Sequence, residues 1–481
     1  LQQHSDDMTG GEAADGSGAG GAGRVRGKRS SRRTAVRAAA TAAVALTLAS
    51  GTPAAPAART AADTPVDGVW RVTGYGTVLS IADGRLREFR TTAAGCLPGD
   101  SAKETAPGKY LTADGTVVTV RAEGSLQVAG AAGDRALRRL PGLPSDCERP
   151  LPKDPLTAFD VFWQSFEAHY PFFAAKGVDW DAVRDEYRPR VTADMSRTEL
   201  FDVLADMVRP LYDAHVTVTD GDRHFGQVRP GAVVPSPDLD TKIRNHIVRR
   251  DLHGEKPREF ANGRIGYADL PNGQGYLRIT GFTGYDTEDR TYAAQLAELD
   301  RALDAVFTAR RTASLKGLVI DLRINGGGFD ALGLRLAARL TDSPYLAYRT
   351  RTRYTHPQSV QVRPVHGVPR YTGPVAVLAG GTTVSAGETF VQALMDRPGG
   401  AVRIGENTQG VFSDVLEFRL PNGMEMGLPN EEFLTRSGRT FDGAGIPPHV
   451  RTPVFTEDEF TENRDSAFDA AVRILGQAGT P

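Results

Sequence analysis

The chain has 481 residues, ample for a sizeable core and about two to four domains. Its 57 lysines and arginines against 59 aspartates and glutamates leave a formal charge of −2. That balance gives no global basic field, so no nucleic-acid partner is expected. Two cysteines are too few for a disulfide-dense scaffold, and they lack metal-ligand spacing.

As far as about Gly23 the sequence is rich in Gly and Ala, acidic and without periodicity, which predicts disorder. A basic stretch, Arg24 to Arg37, is followed by an apolar run from Ala38 to Ala49 and by small residues to Ala58. This is the anatomy of a secretory signal, with cleavage expected near Ala57 or Ala58. Ser31-Arg32-Arg33 also resembles a twin-arginine motif. Residues 1–58 are therefore expected to be a disordered leader plus signal peptide, and the mature protein secreted or extracytoplasmic, on the cell-envelope side. The apolar run is too short for a mature anchor, so no stable membrane span is expected.

Residues 66–150 read as a small β-domain. Gly68–Val72, Thr77–Ile81, Thr116–Val120 and Leu126–Val128 have strand character, and Ala82-Asp83-Gly84 and Ala113-Asp114-Gly115 supply hairpin turns. Cys96 and Cys147 both fall here, and in an exported domain such a pair is expected to be bridged. Closing that loop would stabilise by about 4 kcal/mol.

Asp154-Pro155 marks a boundary, after which the periodicity turns helical. Phe159, Phe162, Trp163 and Phe166 make one apolar face, Trp180, Val183 and Tyr187 a second, and Leu200, Val203, Leu204 and Met207 a third. Aromatic residues at this spacing are core packing, so residues 154–220 are expected to form a helical cap. His215 stands where the last helix gives way to an alternating strand. Residues 221–264 connect the cap to the unit expected over residues 265–481, and Pro230 to Pro237 suggests a loop bordering a cleft.

Two strand-to-helix turns carry the chemistry. In the first, Gly317-Leu318-Val319-Ile320-Asp321 is a buried strand that runs through Leu322-Arg323-Ile324-Asn325 into Gly326-Gly327-Gly328. Consecutive glycines let backbone N–H groups approach a ligand closely. A phosphate-binding turn is the rival, but neither GxGxxG nor GxxxxGK[ST] is present. In the second, Val375 to Ala379 ends at Gly380-Gly381, and Ser385 follows at the mouth of a helix bearing Phe390, Val391 and Leu394. A serine there has its own and the next N–H at a helix N-terminus, which suits a nucleophile whose attack creates an oxyanion. The alternative is an ordinary N-cap serine. Glu388, three residues on, reads as a first-turn acid favoured by the helix dipole.

The Asp321-Leu322-Arg323-x-Asn325-x-Gly327-Gly328 segment, the Ser385-Ala386-Gly387-Glu388 turn and Gly405-x-x-Thr408-x-Gly410 resemble serine peptidase family S41. The same holds for Trp180, Leu211-x-Asp213-x-His215 and Asp442-Gly443-x-Gly445-Ile446-x-Pro448. The resemblance runs from about Asp154 to the C-terminus and implies a crotonase-like layered α/β catalytic domain within a multidomain α/β protein. It also implies a choice of base. The family's Ser–Lys form carries its lysine after the serine, and no lysine follows Ser385 here. The Ser–His, tricorn-like form places its base at His215 and an orienting acid at Asp442, where that pattern usually has glutamate. His449 is the rival histidine. Oxyanion donors are implied at Gly327, or Gly326 or Gly328 by a one-residue shift, and at Ala386. The segment before residue 265 is too short for the PDZ domain common in the processing proteases. The expected function is thus a serine peptidase acting on peptide or protein substrates through an acyl-enzyme, with no metal or organic cofactor. A non-peptidic acyl hydrolase, or a binding protein on the same scaffold, is the alternative.

Overall fold

The computed structural model describes residues 66–478, so the leader and signal expected over residues 1–58 lie outside the described residues. Within residues 66–140, eight antiparallel strands run from Gly68–Val72 to Arg135–Leu140 and close into a barrel. Closure follows because Val72 pairs with Thr77 on one side and with Leu137 on the other. The second hairpin turns at Asp83 and Gly84, both left-handed (φ 52° and 68°), the conformation that a tight two-residue hairpin needs. Side chains at alternate positions, such as Leu79 and Ile81 or Val118 and Val120, fill the interior. Cys96, in the strand Gly95–Ala106, is disulfide-bonded to Cys147. The bond ties the segment leaving the barrel back to its wall.

Helices Pro155–His169, Trp180–Tyr187 and Arg197–Val208 follow, each started by a side-chain cap: Asp154, Asp179 and Ser196. Trp163 and Trp180 each donate the indole N–H to the other's carbonyl at 3.0 Å, locking two helices face to face. Phe159, Phe162 and Leu204 from these helices share one hydrophobic core with the barrel's Trp70 and Leu79. Leu416, Phe418 and Met426 of a four-stranded antiparallel sheet complete that core. This sheet runs Arg223–Gly226, Thr217–Asp220, Glu425–Pro429, Val415–Arg419.

The third unit is a seven-stranded mixed sheet. Its parallel part is ordered Gln274–Ile279, Gly317–Asp321, Val375–Ala379, Val402–Gly405, Val450–Arg451. These strands read as continuous apolar runs because both faces are covered. Leu318, Ile320, Val375 and Val377 point to helices Tyr292–Val306, Asp330–Ala337 and Ala386–Ala393. Val319, Ala376 and Leu378 point the other way, to helices Pro237–Arg250 and Ser466–Ala478. Fully buried Arg323 is held by Asp321 at 2.7 Å and by both Asp465 oxygens at 2.7 and 2.8 Å. A three-stranded sheet, Gln358–Val362, Tyr345–Thr352, Glu431–Leu434, completes the mixed α/β architecture. No helix among the described residues is long and apolar enough to cross a membrane.

Candidate active site

The serine turn and the glycine turn are laced together by the backbone. Asn325 donates its N–H to Thr382 O at 3.1 Å, and Val384 donates to Asn325 O at 2.9 Å. Thr383 Oγ1 donates to Leu322 O at 2.7 Å. The lacing delivers Ser385 to the mouth of helix Ala386–Ala393 with φ 53° and ψ −119°, a conformation costly for a residue with a Cβ. Gly327, at φ +87°, lies directly against it, since a Cβ there would stand 2.8 Å from Ser385 Cβ and 3.3 Å from Oγ.

The N–H groups of the expected oxyanion donors differ in their hydrogen bonding. Gly326 gives its N–H to Thr280 O at 3.1 Å, and Gly327 gives its N–H to Asn325 Oδ1 at 3.0 Å. The Gly327 amide is thus already spent inside the turn. The N–H groups of Gly328 and Ala386 enter no hydrogen bond among the described residues.

His215 follows a left-handed Tyr212 (φ 46°) that ends the cap and turns the chain into the strand Thr217–Asp220. Asp213 braces the turn, accepting from His215 N at 3.0 Å and from Tyr170 Oη at 2.9 Å. The imidazole Nδ1 lies 3.0 Å from Phe412 O. A carbonyl only accepts, so Nδ1 carries the proton and Nε2 presents its lone pair. Burial holds the His215 pKa below its ordinary value, against Asp213, the Phe412 carbonyl and Asp414, which pull it up. The imidazole is therefore neutral, the state a general base requires. Ser385 and His215 meet through neighbouring residues of one segment: Ser385 N donates to Val411 O at 3.2 Å, one residue before the anchor of the histidine. No hydrogen bond joins the serine hydroxyl to the imidazole among the described residues.

Asp442 departs from the expected geometry. Its Oδ2 accepts from the Phe412 N–H at 3.2 Å, and it makes no hydrogen bond to His215, whose Nδ1 is occupied by Phe412 O. Its hydrogen-bonded link to the histidine therefore runs through Phe412. Its carboxyl is pushed well above the usual range by burial and by Asp213, with Lys176 opposing. Lys176 Nζ stands 3.9 Å from the other oxygen, Oδ1. Sequence reasoning searched for a lysine only after Ser385 and missed this buried one, delivered by the short helix Phe173–Lys176.

Glu388 does more than favour a helix dipole. It is fully buried and accepts from Thr408 Oγ1 at 2.5 Å, Gly410 N at 2.6 Å, Val411 N at 2.9 Å and Ser385 N at 3.2 Å. Arg229 braces the same loop, donating to the carbonyls of Gln409 (2.8 Å) and Thr408 (2.9 Å). His449, by contrast, pairs with the backbone of Arg403. Among the described residues no group of three or more His, Cys, Asp or Glu is arranged to hold a metal ion.

Residues 273–452 match the model of Peptidase family S41, and residues 152–209 match that of the Tricorn protease C1 domain. The chain is 28% identical over 258 residues to the chloroplastic C-terminal processing peptidase of Tetradesmus obliquus, covering 51% of each. It thus spans about half the length of that curated relative. Among solved structures, a candidate peptidase from Parabacteroides merdae superposes with a TM-score of 0.56 at 24% identity, covering 67% of this chain and 97% of the other. That likeness is one of fold. The tricorn protease superposes at 0.41 with 14% identity, covering 84% of this chain and 46% of that one, too remote to argue from.

Proposed function

The chain carries a peptidase family S41 domain, and from that premise we propose that it is a serine peptidase cleaving peptide or protein substrates through an acyl-enzyme. The observation that carries this reading is Ser385, strained at a helix mouth with Gly327 pressed against it. In the proposed reaction Ser385 Oγ attacks the substrate carbonyl and its proton passes to His215 Nε2. The oxyanion is met by the N–H groups of Ala386 and Gly328. The imidazolium returns its proton to the leaving amine, whose C–N bond breaks. A water then repeats the sequence on the ester, giving the acid product and free Ser385. Asp442 completes the set by holding Phe412, whose carbonyl keeps the imidazole in the required tautomer.

Crotonase-like layering and the absence of a PDZ domain belong to the same reading. They are supported by helices on both faces of the seven-stranded sheet, and by residues 221–264 holding a strand, one long helix and another strand. Action outside the cytoplasm is proposed from the signal-like residues 24–58.

A labelled fluorophosphonate should modify the wild-type protein and spare Ser385→Ala with unchanged circular dichroism. A peptide-library digest then separates peptidase from esterase. Equal labelling of Ser385→Ala would remove the serine from the mechanism.

A further inference from the structure

The strand Arg135–Leu140 closes the N-terminal barrel, yet its first side chain reaches into the catalytic unit. Arg135 Nη2 donates to Asp414 Oδ2 at 2.7 Å, with the two side chains only 16% and 11% exposed. The guanidinium also lies 4.4 Å over the ring of Tyr75, a second barrel residue, whose hydroxyl donates to Glu431. Arg135 and Tyr75 both line a cavity of about 330 Å³, so Asp414 and Tyr75, rather than close packing all round, fix the guanidinium.

Asp414 is two residues beyond Phe412, the carbonyl partner of His215. Between them Ser413 has φ 92°, a left-handed conformation that needs support from its surroundings. That support is local and dense. Ser413 Oγ donates to Asp414 O at 2.5 Å and accepts from the N–H groups of Asn430 (3.0 Å) and Glu431 (2.9 Å). The segment therefore has one end tied to Glu388 and the other to the barrel, with the anchor of the histidine between them.

We propose that Arg135 is a positioning residue for His215: its ion pair with Asp414 holds the Phe412 carbonyl in place, making the barrel a working part of the active site. The inference rests on the assignment of His215 as general base. Two charged groups act on the imidazole, Asp213 from its own turn and Asp414 from this loop. Asp414 in turn faces Arg135 and Tyr75 of the barrel, Glu431 of the strand Glu431–Leu434, Tyr348 of the strand Tyr345–Thr352 and Asp330 of helix Asp330–Ala337. Arg135 is the cation in that set, so removing it lets the Asp414 charge act more strongly on His215.

The test is the rate of fluorophosphonate labelling of the full chain against pH, for wild type, Arg135→Ala, Arg135→Lys and Asp414→Asn. Labelling should rise with pH as His215 loses its proton. In Arg135→Ala that rise should move to higher pH and the plateau should fall by up to about 100-fold, the cost of misplacing a reacting group. Arg135→Lys should restore the position of the rise, because the charge returns. Asp414→Asn, nearly isosteric, should move it to lower pH and carries the test if Arg135→Ala does not fold. A profile unmoved in both Arg135→Ala and Asp414→Asn, or a plateau lowered equally at every pH, overturns the proposal and leaves the serine assignment intact. Labelling that survives in Ser385→Ala overturns the serine assignment, and this inference with it.

Discussion

Glu388 Oε1 accepts the N–H of Gly410 at 2.6 Å, so an acid on the serine's own helix holds the start of the loop that anchors the histidine. All four partners of Glu388 are donors, which suits an ionised carboxylate. Burial works against them and pushes the carboxyl from 4.5 up to about 7. The Ser385 turn and the His215 anchor are thus registered against each other by one buried acid.

For Glu388→Gln two changes are expected. The amide NH₂ must face groups that also donate, costing about 1–3 kcal/mol of stability. The pH dependence also changes. A carboxyl raised in the folded state binds more protons folded than unfolded between pH 4.5 and about 7, so its contribution is full below that window and lost as pH rises through it. Urea unfolding across this range should give a flatter stability curve for Glu388→Gln. Parallel curves would place the titration elsewhere.

Gly327→Ala should silence the serine without unfolding the chain. The added methyl would stand 2.8 Å from Ser385 Cβ, at a φ of +87° that alanine resists. Fluorophosphonate labelling is expected to fall by up to about 100-fold. Normal labelling would mean that the two turns are not in contact during reaction.

The two buried aspartates near His215 should separate in a pH–rate profile. Because burial lowers the His215 pKa, kcat/KM should rise through an ionisation below the ordinary histidine value. Asp213 favours the imidazolium, so Asp213→Asn should move this rise to lower pH. Asp442→Ala deprives the Phe412 N–H of its acceptor and removes the oxygen that stands 3.9 Å from Lys176 Nζ. It should lower the plateau and leave the rise where it was. A rise displaced by Asp442→Ala would restore Asp442 as the direct partner of the imidazole.

The parts of this site that the sequence revealed are those built within a few residues of chain. The apolar strand, the three glycines and the serine at a helix mouth each have a local signature, as does the Asp83-Gly84 hairpin. Four barrel strands did not. Arg85–Thr92 alternates buried and exposed residues, but Glu88 and Arg90 pair with each other inside, disguising the period. Glu388 looked like a surface helix acid because its partners come from residues 408–411, a segment with no periodicity to link it to the serine. Lys176 beside Asp442, and Arg135 on Asp414, are meetings between distant parts of the chain. Charge pairs of that kind leave no spacing to read.

The strand that follows His215, Thr217–Asp220, is hydrogen-bonded to Glu425–Pro429 from far later in the chain. A ribosome that has already released the histidine has therefore not yet made the strand that positions it. On the proposed reading, the emerging polypeptide acquires Ser385 before His215 is seated, and the site is complete only after residues 425–429 have been made.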